Sequence, residues 1–496
     1  MNVRIIAGDD PIEQVASHEL RRYLELIRVA ASTTDPAIHL GMISHGHDTV
    51  LQDIPCGGFV IRSTTDGIAI AGSSPRETLF GVYAFLEKLG IRWYFPGEDG
   101  EVLPGDSPNP FPHQWDITEE PAFGTRGVII EHENSAQAEW IDFAAKKRLT
   151  TISLHGTQGF DEFRRMATER GLDAEIEMHL LPGGLCSADP DRLATYRDLL
   201  SGALKHIPDD IRRLFLWQED MDRVTCGCDA DQGLSVTDTT LRVYNHLAEW
   251  LETIRPDARL AFLVYIGTWG LPDRTKPHPR LFAEIAPMQR CMAHAVHDDT
   301  CSINRNEVGD TIRRWCDVFD PSDAQVLDYW LDSSLFDRGR YRDNLGRLPH
   351  GRSVLQSDLL FYRELGFDAI STFAVGVDRP YLDRWVSPVL FQYPELLWNP
   401  DADCREGLGE FAERWFGTNA VLPVLETLEL ADTQALEHGR PAHVDSALTT
   451  ARQVASELVD STAGNPWRRR IRRLADEIDH RISWHDVDRD SDPDTL

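Results

Sequence analysis

The chain has 496 residues, 42% hydrophobic and 26% charged, an ordinary globular composition with room for two or three domains and a large core. Its formal net charge of −31 argues against a nucleic-acid backbone or an anionic membrane as partner. No apolar run reaches the length of a membrane-spanning helix, and the chain does not open on a basic stretch followed by an apolar one, so the expected location is the cytoplasm.

Residues 1–105 read as one unit. A strand is expected over 2–7 and a helix over 12–28, where Val15, Leu20, Tyr23, Leu24 and Ile27 fall near one face. A second strand covers 37–41, and 58–71 has the pattern of a hairpin turning at Thr65-Asp66-Gly67. Ser74-Pro75 opens a helix over 76–89, which Gly90 ends. The pattern is a small α/β sandwich, and nothing catalytic stands out in it.

From residue 122 the rhythm changes to short apolar runs alternating with helical stretches, the pattern of a parallel βα array. Strands are expected over 127–130, 151–154, 174–178, 214–217, 260–264, 285–289, 325–329 and 369–373. Eight units over residues 122–392 give a (β/α)8 TIM barrel. The fourth is the most informative. R-L-F-L-W-Q-E-D-M-D-R-V-T-C-G-C, residues 213–228, is a buried strand that stops at Glu219 and Asp220, with Asp222 just beyond. Carboxylates crowded at a strand end resist ionising together, so such a site can hold a proton at neutral pH. The plainer reading is a solvated loop in which Asp222 and Arg223 pair.

The other strand ends carry Glu131, His155 and His179, then Tyr265 and Trp269, then Arg290 and His294, then Asp328, Tyr329 and Asp332. Each alone has a structural reading, since a His at a strand end is more often a satisfied hydrogen-bonding group than a ligand. In a barrel, however, these ends converge on the C-terminal face, where active sites lie.

Residues 393–496 are helical in pattern, with helices over 421–437, 444–458 and 466–484. Arg468, Arg469, Arg470, Arg472 and Arg473 are expected to pair with carboxylates of this chain or of a neighbouring subunit, which leaves room for a homo-oligomer. Residues 486–496 are acidic and expected to fray. The eight cysteines read as reduced thiols, and Cys226-Gly-Cys228 lacks redox or zinc-knuckle spacing. Cys186, Cys226, Cys228 and Cys301 could meet at a metal only if loops bring them together. Unbridged thiols near the barrel mouth are the favoured reading, and no metal or cofactor is assigned.

The N-terminal stretch S-S-P-R-E-T-L-F-G-V-Y-A-F-L-E-K-L-G-I-R-W-Y-F-P-G resembles the accessory domain of the β-hexosaminidase, O-GlcNAcase and α-glucuronidase glycosidases. P-A-F-G-T-R-G-V-I-I-E is similar to the first barrel strand of the hexosaminidase group, where an Arg holds sugar hydroxyls; Arg126 is the match. That group's acid pair follows the fourth strand, where Glu219-Asp220 stands, though in the order Glu then Asp rather than Asp then Glu. Q-E-D-M-D-R-V-T-C-G-C, V-Y-N-H-L-A-E-W, R-P-D-A-R-L-A-F-L-V-Y and R-C-M-A-H-A-V-H-D-D-T-C-S-I-N resemble a large uncharacterised bacterial family related to these glycosidases. Its members often carry a third Cys after the C-x-C pair, and residues 229–233 contain none. L-L-W-N-P-D-A-D and L-G-E-F-A-E-R-W-F-G resemble the segment closing the barrel in the α-glucuronidase and O-GlcNAcase groups.

The resemblance implies a glycoside hydrolase cleaving a carbohydrate, on an N-acetylhexosamine or a uronic acid. Glu219 is then the general acid, with Asp220 or Asp328 as partner. Arg126, His155, His179 and Tyr265 would bond hydroxyls, and Trp269 would stack on a sugar face. Glu131, Arg290, His294, Tyr329 and Asp332 complete the substrate-binding candidates. Two alternatives stand beside this: a metal-dependent barrel enzyme with His155, His179, Asp220 and His294 as ligands, and a non-catalytic carbohydrate-binding relative.

Overall fold

The computed structural model describes residues 3–29, 36–41, 53–106, 108–221, 224–306, 308–334, 348, 351–438, 442–462 and 467–483. Asp222, Arg223 and the acidic tail lie outside the described residues.

The N-terminal sheet holds β1 (Arg4–Ile6), β2 (Ala37–Leu40), β3 (Phe59–Ser63) and β4 (Gly67–Gly72). The hairpin of β3 and β4 is antiparallel, as its turn sequence predicts, and Gly67 is needed there. Its φ is +155°, and a Cβ at that position would lie 1.9 Å from the Ala37 carbonyl oxygen of the parallel neighbour β2. Helices α1 (Pro11–Leu26), capped by Asp10, and α2 (Pro75–Lys88) pack together over this sheet, burying Leu20, Tyr23, Phe80 and Phe85. A ribbon of β5 (Arg92–Trp93) and β6 (Glu101–Val102) follows, and β7 (Asp116–Glu119) returns to the edge of the sheet, giving the order β1-β2-β4-β3-β7.

The barrel is closed and parallel throughout. Its strands are β8 (Thr125–Glu131), β9 (Thr151–His155), β10 (Asp173–Leu181), β11 (Arg213–Gln218), β12 (Arg259–Val264), β13 (Leu281–Ile285), β14 (Gln325–Asp328) and β15 (Ala369–Thr372), and β15 pairs with β8. Around it run α3 (Gln137–Lys146), α4 (Phe160–Glu169), α5 (Pro190–Leu204), α6 (Val236–Ile254), α7 (Val308–Trp315) and α8 (Arg352–Glu364). Between β12 and β13 there is only a single 3-10 turn, Ile266–Thr268. Seven of the eight expected strands coincide with observed ones. The sixth is Leu281–Ile285 rather than 285–289. Pro287 cannot donate to a ladder, and the buried Glu284 breaks the apolar run that would have marked the true strand.

After the barrel come α9 (Arg379–Arg384), α10 (Val389–Trp398), α11 (Cys404–Phe416), α12 (Leu422–His438), α13 (Ala442–Ser461) and α14 (Arg468–Ser483). The arginines of α14 mostly depart from the expected carboxylate pairing. Arg473 donates to the carbonyls of Leu382 (2.7 Å) and Trp385 at the end of α9. Arg470 donates to Trp415 O (3.0 Å) in the last turn of α11, and Arg468 to Val459 O (3.1 Å) in the last turn of α13. Each cation thus meets the negative end of another helix. The carboxylate pairing falls further along α14, where buried Arg481 grips Asp432 with two bonds of 3.0 and 3.1 Å.

At the base of the barrel, Trp398 joins the three regions. Its ring stacks on Phe59 of the N-terminal sheet, and the guanidinium groups of Arg126 and Arg148 each lie 5.1 Å from its centroid. Its carbonyl accepts from Ala122 N at the entry to the barrel.

Candidate functional site at the barrel mouth

Strand β11 carries the acidic turn. Gln218, its last residue, is buried and anchored: its amide donates to Leu263 O (3.0 Å) and Thr268 Oγ1 (3.2 Å), and Tyr244 donates to its Oε1 (2.9 Å). One residue on, Glu219 N donates to Leu181 O at the end of β10, and Met221 N donates to Glu219 O. The backbone of the turn is therefore fixed, while the Glu219 and Asp220 side chains are exposed.

Beside that turn lies an aromatic platform. His179 Nδ1 is 2.5 Å from Gln218 O, and because a carbonyl only accepts, Nδ1 carries the proton and Nε2 is left as acceptor when the ring is neutral. The His155 ring stacks on Trp217 at 5.8 Å and sits 6.0 Å from the His179 ring and 5.1 Å from Phe373. Burial, then the neighbouring His179, pushes His155 down to about 4, so it is neutral at physiological pH. Glu131, half-buried at the end of β8, accepts from Gly376 N at 2.9 Å and so holds the loop after β15.

Below the platform the interior is polar. Trp217 Nε1 donates to Glu284 Oε2 (2.5 Å), and Gln325 Nε2 donates to Glu284 Oε1 (3.0 Å). Glu177 on β10 faces Glu284, and both are fully buried. Burial, with Glu284 next, raises Glu177 well above the carboxylate range, and burial raises Glu284 to about 7. Two carboxyls in one dry space cannot both ionise, so the pair retains a proton at neutral pH. Composition and apolar periodicity miss this pair. The signal was the alternation of Glu175, Glu177 and His179 along β10, every second residue pointing the same way.

Several sequence candidates are not at the mouth surface. Arg126 lies at the start of β8, not its end, and is 1% exposed. It donates to Arg148 O, Phe123 O and Gly124 O at the base of the barrel, so it holds chain and not sugar. Asp328 and Arg290 are wholly buried against each other. Arg290 Nη1 bridges Asp328 Oδ2 (2.8 Å) and Asp358 Oδ2 (2.6 Å), Tyr362 donates to Asp328 (2.9 Å), and Trp330 donates to Asp358 (3.0 Å). This is a buried ion-pair network that leaves Asp328 no face toward a substrate. Asp332 is fully buried, its Oδ1 accepting from Ser334 N and Oγ. Tyr265 and Tyr329 are buried, and burial, with Tyr265 and Asp332 nearby, keeps the Tyr329 phenol protonated.

Trp269 is half-buried and lines a small cleft of about 110 Å³ with Ile266, Met288, Arg290, Ile303 and Val308. Neither Glu219 nor Asp220 lines it. His294 sits 3.4 Å from Cys291 Sγ. Among the described residues, two groups of three or more side chains could hold an ion: Cys186, Cys226, Cys228 and Asp231, and Cys291, His294 and Cys301. Neither contains His155, His179 or Asp220, so the ligand set of the metal-dependent alternative does not assemble.

The arrangement, a small N-terminal sheet domain followed by a closed parallel barrel, is also found in solved glycoside hydrolases. Among the solved structures similar to it are a GH138 enzyme targeting pectin rhamnogalacturonan II (TM-score 0.58, 10% identity, 97% of this chain and 85% of that one); a GH20 exo-β-N-acetylglucosaminidase from Vibrio harveyi in complex with N-acetylglucosamine (0.51, 12%, 86% and 74%); and a family 89 glycoside hydrolase from Clostridium perfringens in complex with its substrate GlcNAc-α-1,4-galactose (0.56, 10%, 92% and 60%). The chain itself belongs to the DUF4838 family, described as a domain of unknown function, which it matches over residues 95–426. No curated protein matches it significantly. Among the described residues no helix is long and apolar enough to cross a membrane.

Proposed function

We propose that this protein is a glycoside hydrolase in which Glu219 is the general acid and Asp220 its partner, acting on a carbohydrate bound across the barrel mouth. The observation that carries the reading is the position of the pair. It is exposed on a rigid turn at the end of the fourth barrel strand, beside the His155–His179–Trp217 platform. Glycosidic cleavage needs an acid reaching the leaving oxygen and a second carboxylate stabilising the cationic sugar or its nucleophile. Glu219 is one methylene longer than Asp220 and reaches further. A neutral His155, His179 with an acceptor nitrogen, and Glu131 supply hydrogen-bonding groups for hydroxyls, and Trp269 offers a ring to an adjoining sugar.

Of the two sugar classes the sequence suggests, an N-acetylhexosamine is the one we favour. The GH20 and family 89 structures are complexes with N-acetylglucosamine and GlcNAc-α-1,4-galactose, and in a substrate of this class the N-acetyl group can serve as nucleophile while Asp220 orients it. The cysteines, none in a disulfide, support a reducing compartment, the cytoplasm.

Aryl and natural glycosides of both classes test the reading. Glu219→Gln is expected to lower turnover of unactivated substrates by about 10²–10⁴ and of activated aryl glycosides much less, since their leaving groups need little protonation. Full activity of Glu219→Gln on an unactivated substrate would show that the acid is elsewhere.

A further inference from the structure

Two loops flank the acidic turn, and they are laced together. Leu185, after β10, donates its N–H to Val224 O (2.7 Å), and Cys226 N donates back to Leu185 O (2.9 Å), forming a short parallel bridge between Leu185 and Thr225. This brings Cys186 beside Cys226. Gly227, at φ +67°, turns the chain, and the 3-10 turn Asp229–Asp231, in which Asp231 N donates to Cys228 O, carries Asp231 back.

The result is a four-donor cluster. Cys186 Sγ and Cys228 Sγ are 3.8 Å apart, Cys228 Sγ and Asp231 Oδ2 are 3.5 Å apart, and all four ligand atoms lie within 4.8 Å of one another. A tetrahedral zinc with Zn–S bonds of about 2.3 Å and a Zn–O bond of about 2.0 Å has S···S edges of about 3.8 Å and S···O edges of about 3.5 Å. The sulfurs are far outside the disulfide distance of about 2.05 Å. The carboxylate is oriented from behind: Ser187 Oγ donates to Asp231 Oδ1 at 2.6 Å, leaving Oδ2 for the sulfur side. Cys186 is buried, and its N–H is engaged by the Tyr196 hydroxyl at 3.2 Å, which fixes its loop.

We propose that Cys186, Cys226, Cys228 and Asp231 bind a zinc ion that clamps the loop after β10 to the loop after β11. Three thiolates select a soft or borderline ion over magnesium or calcium, and zinc takes this number and shape of ligands without redox chemistry. Four protein ligands make a closed site, so the ion is structural. Its place in the chain gives it a task. The loop it fixes begins at Glu219 and Asp220, so one end of that segment is held by Gln218 and the other by the metal, whatever the acidic pair does. The cluster of Cys291, His294 and Cys301 offers three donors only and serves as an internal control.

The test is metal content of the full chain, produced with added zinc and purified under reducing conditions. About one zinc per chain is expected by elemental analysis, lost in the double variant Cys226→Ser/Cys228→Ser and kept in Cys291→Ser/Cys301→Ser. Asp231→Asn, a milder change, should weaken binding at least tenfold in competition with a chromophoric chelator. Cobalt-loaded wild type should show thiolate-to-metal charge transfer and the strong visible bands of a tetrahedral site, a readout that needs no variant to fold. Zinc below a tenth of an equivalent, zinc retained by the Cys226→Ser/Cys228→Ser protein, a cobalt spectrum without thiolate bands, or a disulfide among the three cysteines would each overturn the proposal.

Discussion

A pair of buried carboxyls, Glu177 and Glu284, makes the interior of this barrel sensitive to pH. Glu284 titrates near 7 in the folded protein against 4.5 for an ordinary glutamate, chiefly because burial penalises its charged form. Between those values the unfolded chain has released the proton and the folded chain has kept it. Stability from this group is therefore fully present below about pH 4.5 and falls as pH rises toward 7, by on the order of 3 kcal/mol. Glu284→Gln keeps an acceptor for Trp217 Nε1 and removes the titration, so its urea-unfolding free energy should change less between pH 5 and pH 7.5 than that of wild type. Equal slopes for the two proteins would mean that Glu284 is already ionised when folded.

Among the elements, the link from the loop after β13 through β14 to α8 is an ion pair sealed from solvent. Arg290 holds Asp328 and Asp358 together, Tyr362 and Trp330 donate to the same two Oδ2 atoms, and the backbone N–H groups of Tyr329 and Val296 donate to the Oδ1 atoms. Asp328→Ala leaves a cation buried with half its partners, and a loss of about 3–5 kcal/mol is expected in denaturant unfolding. If Asp328→Ala unfolds like wild type yet abolishes glycoside turnover, Asp328 is a catalytic carboxylate after all. The same network explains part of what the sequence conceals. Strand order, the hairpin at Gly67 and the final helices are legible because apolar period and turn residues specify them locally. Asp328 at the end of β14 looks the same in sequence as Glu219 at the end of β11, and only packing tells that the first is walled in by α8 while the second faces water. Arg126 differs for another reason: it precedes the apolar run of its strand and so stands at the bottom of the barrel on backbone carbonyls, and the likeness to a sugar-holding arginine does not extend to its place in the fold. Glu284 hid a whole strand, because an inward carboxyl in the middle of β13 breaks the hydrophobic run used to find it. Asp231 joins a cysteine cluster through a one-turn helix that no spacing rule anticipates.

At the scale of the molecule, the three regions form one structure. Lys147, almost fully buried, reaches Glu87 of α2 (3.3 Å) and Glu395 of α10 (2.6 Å), and Arg148 also binds Glu87, which these cations hold at about 2 despite its burial. Arg92 pairs with Glu410 of α11 (2.5 Å). Removing residues 1–105 would take Glu87 from Lys147 and Arg148 and take Arg92 from Glu410, and would bare the faces of Trp398 and of Phe391, Phe411 and Trp415, which pack on Tyr94. Such a truncated chain is expected to be insoluble, and the intact protein to unfold in one transition seen alike by calorimetry and circular dichroism. A soluble, monodisperse barrel lacking those residues would show instead that the N-terminal unit is a detachable module.

Trp398 gives the molecule two unequal ends. Phe59 stacks on its ring and the guanidinium groups of Arg126 and Arg148 lie over it, so the barrel floor is given over to packing and the opposite rim is the end left to meet solutes. Mutational tolerance should divide along the same axis. Floor positions are committed to three regions at once and have little freedom to drift, whereas rim loops can be exchanged or lengthened without disturbing the assembly below. A lineage built on this plan can therefore change what it acts on by remodelling one rim while inheriting the rest unaltered.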